Sequence, residues 1–152
     1  MDYKTKIQAA PGKQELFIIR EFDLPVDLVF KAYQEPELLE QWMNTRVIKL
    51  ENRTHGSYQF ETTDPTGKVH IFSGTIHEFE PGKKITRTFK MENTSFDVQL
   101  EFLEFEALSA ERSKLIMQVV YRSVAMRDQL LEMPFEWGIN RAHDQLEAIF
   151  AP

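Results

Sequence analysis

Between residues 46 and 121 the chain carries turn signals at short intervals and almost no helical period, which commits half of it to antiparallel sheet. Tyr58 and Phe60 share one face of a first run. Asp64-Pro65-Thr66-Gly67 then makes a turn, in which proline presets φ and glycine tolerates the reversal. A long strand over residues 68–79 ends at Glu80-Pro81-Gly82 and returns through residues 85–91. Phe96, Val98, Leu100 and Phe102 alternate with Asp97, Gln99 and Glu101, which predicts a strand with the even residues buried and the odd ones wet. Leu115, Met117, Val119 and Tyr121 give the last strand.

The flanks supply the helices. Residues 16–22 are β-rich and predict a first strand. Pro25 suits the opening turn of a helix containing Val26, Val29, Phe30 and Tyr33, and Pro36 restarts the pattern with Leu38, Leu39, Trp42 and Met43. Residues 123–150 predict one long helix capped by Ser123. Leu131, Phe135, Ile139, Ala142, Leu146 and Ile149 mark its main apolar face, and Met126, Leu130, Met133 and Trp137 mark a second stripe over its first half. Pro134 lies inside and predicts a kink. The order predicts an α+β domain: a curved antiparallel β-sheet wrapped around a long C-terminal helix, with two short helices after the first strand. Residues 1–12 are expected to be a loose leader and residues 13–152 the single domain.

Composition narrows the function classes. With 152 residues and no cysteine, the chain has no disulfides or thiol chemistry and is long enough to bury a core without them. A net charge of −6 and scattered basic residues argue against nucleic-acid binding. No window approaches a membrane span, and a cytoplasmic protein is the expectation.

Four segments carry a resemblance. They are Phe22-Asp23-Leu24-Pro25-Val26-Asp27-Leu28-Val29-Phe30 with Pro36-Glu37-Leu38-Leu39-Glu40-Gln41-Trp42; His55-Gly56-Ser57-Tyr58; Gly74-Thr75-Ile76-His77-Glu78-Phe79-Glu80-Pro81; and Arg127-Asp128 through Trp137-Gly138 to Leu146. In order and spacing the chain resembles the helix-grip (START-like, SRPBCC) superfamily. Within it, the chain is similar to proteins like the C-terminal domain of the activator of the heat-shock-protein-90 ATPase. His55 stands where members often have a second glycine, and Arg87 where an aromatic is expected. The resemblance implies a hydrophobic cavity between sheet and helix, used across the superfamily for apolar molecules, and no fixed catalytic set.

The residues themselves name no reaction. His55, His70, His77 and His143 lack the spacing that puts two metal ligands on one helical face, and the serines have no activating context. Neither a metal, a cofactor nor a catalytic set is expected. Glu101, Glu104 and Glu106 read as a solvated face. Glu78 follows Phe72, Gly74 and Ile76 at even spacing, which would aim it inward as a polar cavity residue. A bulge or an early strand end would return it to the surface.

On these parities Phe60, Phe72, Phe89, Val98, Leu100, Met117 and Val119 face the helix opposite Met133 and Trp137. Arg87 shares their surface. As a set these are either a packed core or a cavity lining. An inward Arg87 would hold an internal carboxylate such as Glu78 or meet an anionic ligand head; at the rim it would be structural. Three functions stay open: a binder of a small apolar or amphipathic molecule, a protein-interaction module, and an enzyme on an apolar substrate using Glu78 or His77.

Overall fold

The computed structural model describes residues 3–151. The elements run β1 (Lys6–Gln8), β2 (Glu15–Phe22), α1 (Val26–Gln34), α2 (Pro36–Trp42), β3 (Arg46–Leu50), β4 (Ser57–Thr63), β5 (Val69–Glu80), β6 (Lys84–Met91), β7 (Gln99–Ala107), β8 (Ser113–Val120), α3 (Val124–Leu131) and α4 (Phe135–Ile149). The eight strands form one antiparallel sheet in the order β1-β2-β8-β7-β6-β5-β4-β3. The fold is α+β, with the two short helices after β2 and the C-terminal helices packed on the sheet.

Local chemistry sets the boundaries. Pro25 precedes α1 and its carbonyl accepts from the backbone N–H groups of Leu28 and Val29. Pro36 sits in the first turn of α2, where its missing N–H loses no bond. Ser123 caps α3 by accepting from the Met126 backbone N–H at 3.1 Å. Gly67 and Gly82 hold positive φ at the hairpin turns after β4 and β5. Aromatic residues then fasten α1 to the sheet and α2 to α1. Phe30 meets Phe105 at 4.9 Å, Tyr33 meets Trp42 at 4.9 Å, and Trp42 Nε1 donates to the Ala32 carbonyl.

The structure departs from the sequence reading in three places. The first concerns the leader. Lys6–Gln8 pair with β2 through Lys6↔Ile19 and Gln8↔Phe17, and Thr5 is wholly buried. Without this strand β2 would be a bare sheet edge. Met1 and Asp2, the first two leader residues, lie outside the described residues.

Second, the single kinked helix is two helices. α3 ends at Leu131, and Pro134, at ψ 54°, is out of helical geometry ahead of α4. Proline cannot donate there and crowds the preceding turn, so the chain breaks rather than bends.

Third, β7 presents the opposite face. Gln99, Glu101, Leu103 and Phe105 point inward, while Leu100 points out. Both parities of this segment carry apolar residues, so the register with β6 and β8 decides, and a one-residue change of phase turns every side chain over.

Candidate functional site

Register builds the site row by row on the concave face. Ile85↔Leu103↔Met117 forms one row across β6, β7 and β8, and Arg87↔Glu101↔Val119 the next. Beyond them stand Phe89 opposite Gln99, with Tyr121 following Val120. A cavity of about 370 Å³ lies between these rows and the helices. Phe72, stacked on Phe89 at 5.4 Å, forms one wall with Met91, and Ile18, Met117 and Val119 form the floor. Trp42 and Met43 close the α2 side, while Leu130, Phe135, Ile139 and Ala142 cover the top. Met133 and Pro134 complete the lining, and Met133 is 44% exposed, which puts it at the mouth. A larger depression of about 570 Å³ runs past Trp137 and Arg141. It is a surface groove with charged walls, and the smaller, apolar-walled space between sheet and helices is the one shaped like a ligand site.

The polar end of the cavity is organised by Arg87 and Glu101, 8% and 3% exposed. Arg87 Nε donates to Glu101 Oε1 at 2.9 Å, and Gln99 Nε2 donates to Glu101 Oε2 at 2.8 Å. The guanidinium also lies 5.2 Å from the Tyr58 ring centre, a cation–π distance. Burial works against its charge; the Tyr58 oxygen and the Glu101 carboxylate outweigh that, and the net shift of its pKa is upward. Its two terminal nitrogens have no hydrogen-bond partner among the described residues. Tyr121 Oη is buried without a partner as well. Burial pushes the Tyr121 phenol upward, so it stays protonated and able to donate.

A second polar chain supports the wall. Tyr33 Oη meets His143 Nε2 at 3.1 Å, and His143 Nδ1 meets Thr5 Oγ1 at 2.9 Å. Arg20 donates to Thr5 Oγ1 and to the carboxylates of Asp144 and Glu147. Asn140 grips the Thr5 backbone from both sides, accepting from its N–H and donating to its carbonyl. Burial, and then the nearby Arg20 charge, push the His143 pKa down to about 3.

Six of the ten residues expected to line a cavity do so: Phe72, Arg87, Phe89, Met117, Val119 and Met133. Phe60 is buried against Tyr58, behind the lining. Val98 and Leu100 are on the outer face, 48% and 37% exposed, because of the phase of β7. Trp137 is 52% exposed under the Arg141 guanidinium. The helix break restarts the phase of α4 at Phe135, and a residue two positions on points away from it.

Glu78 is not a cavity residue. The strand bulges between Ile76 and Glu78, and its carboxylate accepts from Thr86 Oγ1 and Lys84 Nζ on the outside. Those two bonds, Thr86 first, hold its pKa below the usual range. His77 stands exposed at the same bulge. Glu101, assigned from sequence to a solvated face, is the carboxylate that pairs with Arg87. The register Arg87↔Glu101 was the missing signal.

A helix-grip domain with a cavity between sheet and C-terminal helices is the class this geometry defines. The chain belongs to the family described as Activator of Hsp90 ATPase homolog 1-like protein, whose model matches residues 23–151. Solved structures share the fold. A Mycobacterium smegmatis protein is 20% identical with a TM-score of 0.86, covering 97% of this chain and 96% of its own. A Rhodobacter sphaeroides protein is 20% identical with a TM-score of 0.85, covering 97% of each chain. A Nitrosomonas europaea protein is 24% identical with a TM-score of 0.77, covering 90% and 93%. No match is found among curated proteins. No helix among the described residues is long and apolar enough to cross a membrane.

Proposed function

We propose that the protein binds a small apolar or amphipathic molecule in the cavity between the sheet and α3–α4. One observation carries this reading: an apolar-walled space of about 370 Å³ with a buried arginine whose terminal nitrogens have no partner among the described residues. The volume falls in the range of small-molecule sites. A dry void of that size would cost about 9 kcal/mol, comparable to the whole stability of a domain, so water or a ligand fills it in solution. Native mass spectrometry of freshly purified protein tests the reading. A discrete excess mass that vanishes on denaturation is expected. A bare mass, both fresh and after incubation with a lipid extract, would overturn it.

A protein-docking module is the second reading. In its favour, Leu131, Met133 and Trp137 are exposed around the α3–α4 break, and clustered apolar exposure marks contact surfaces. The family's description points to a chaperone ATPase as the partner to try. Unchanged ATP hydrolysis at high concentrations of this protein would remove that form of the reading.

A further inference from the structure

We infer that the polar end of the cavity selects a neutral molecule carrying a carbonyl or similar hydrogen-bond acceptor and rejects a carboxylate; this rests on the binding reading above. The charge there is already balanced. Arg87 supplies one positive charge, and Glu101, bonded to it at 2.9 Å, supplies one negative charge. Gln99 turns its amide N–H toward the second Glu101 oxygen, so each carboxylate oxygen has a donor of its own. What the site leaves unmade is on the donor side: the terminal nitrogens of Arg87 and the buried hydroxyl of Tyr121.

A ligand carboxylate entering this end would bring a second negative charge beside Glu101, behind apolar walls that weaken screening. It would leave water to share a cation that is already paired. A ketone, ester or amide oxygen accepts from Arg87 with no net charge to bury, and leaves Glu101 undisturbed. Arg87 is 8% exposed, so a bond made to it behind apolar walls is strong, which is the condition under which polar groups discriminate between ligands.

Three probes of one chain length test this: methyl octanoate, octanoate and octane, titrated at about pH 8 while the methyl NMR signals of Met117 and Met133 are followed. The ester is expected to bind at least about tenfold tighter than octanoate. That gap should close as the pH falls through the carboxylate range and octanoate becomes the neutral acid. Glu101→Gln removes the negative charge, and the preference should then turn toward octanoate. Should that variant fail to fold, the pH series on the unaltered protein carries the test by itself. Octanoate binding as tightly as the ester at about pH 8 would overturn the inference while leaving the cavity reading standing. If none of the three probes moves either methyl signal, the cavity reading fails and this inference fails with it.

Discussion

Arg87 Nε donates to Glu101 Oε1 at 2.9 Å between residues directly opposite in the β6–β7 ladder, inside the space the helices cover. Burying two charges consumes most of what their attraction returns, so the pair gives organisation more than stability. Glu101→Leu strands the guanidinium and is expected to cost about 3–5 kcal/mol in urea unfolding. Arg87→Met combined with Glu101→Leu removes both charges and should recover most of that loss. A single variant as stable as the parent would mean that Arg87 is solvated rather than held.

Trp137 is the largest apolar side chain standing exposed, and Phe135 is its inward counterpart on the same helix. Trp137→Ala should therefore change stability by no more than about 0.5 kcal/mol and leave cavity binding unaltered. Phe135→Ala should cost about 2 kcal/mol or more and enlarge the mouth. Differential scanning calorimetry and one probe titration on both variants separate the two. Weaker cavity binding in the Trp137 variant would show that the tryptophan reaches the ligand.

The sheet was legible because its turns advertise themselves: Asp64-Pro65-Thr66-Gly67 and Glu80-Pro81-Gly82 fall where the hairpins turn. Phase was not legible where both parities are apolar. Residues 98–105 offer Val98, Leu100 and Phe102 on one face and Leu103 and Phe105 on the other, and only pairing with β6 and β8 decides between them. That ambiguity hid Glu101 from the site and placed Val98 and Leu100 in it. Trp137 failed differently: its stripe assumed one helix through Pro134, and the break reset the phase. The β1 strand left no sequence signal, because three residues at an edge are too few to show a period.

His143 makes stability depend on pH. Its folded pKa, about 3, lies below the ordinary 6.5, so the unfolded chain binds a proton that the folded chain refuses. Its contribution is therefore complete above pH 6.5 and is lost as the pH falls toward the folded value. The slope should be about 1.4 kcal/mol per pH unit below the unfolded pKa. Urea midpoints between about pH 6.5 and pH 5, before most carboxylates titrate, isolate it. His143→Gln should be less stable throughout and should lose that slope. An equally steep slope in the variant would assign the pH dependence to other groups.

Gly74 is fixed by its neighbour across the ladder. Tyr58 pairs with it in register, lays its ring over the position a Cβ would take, and donates from Oη to the Thr88 carbonyl. An alanine at 74 would press its methyl into that carbonyl and into the Tyr58 ring, and the carbonyl belongs to the sheet backbone. The ring cannot retreat without giving up its bond and its contact with Arg87. Gly74→Ala is expected to destabilise by about 3 kcal/mol, at the upper end for overpacking. Tyr58→Leu removes the obstructing ring edge, so the double variant should lose clearly less than the two single losses combined. Additive losses would show that the glycine is required by the Thr88 carbonyl alone, and that Tyr58 reaches Arg87 independently of it.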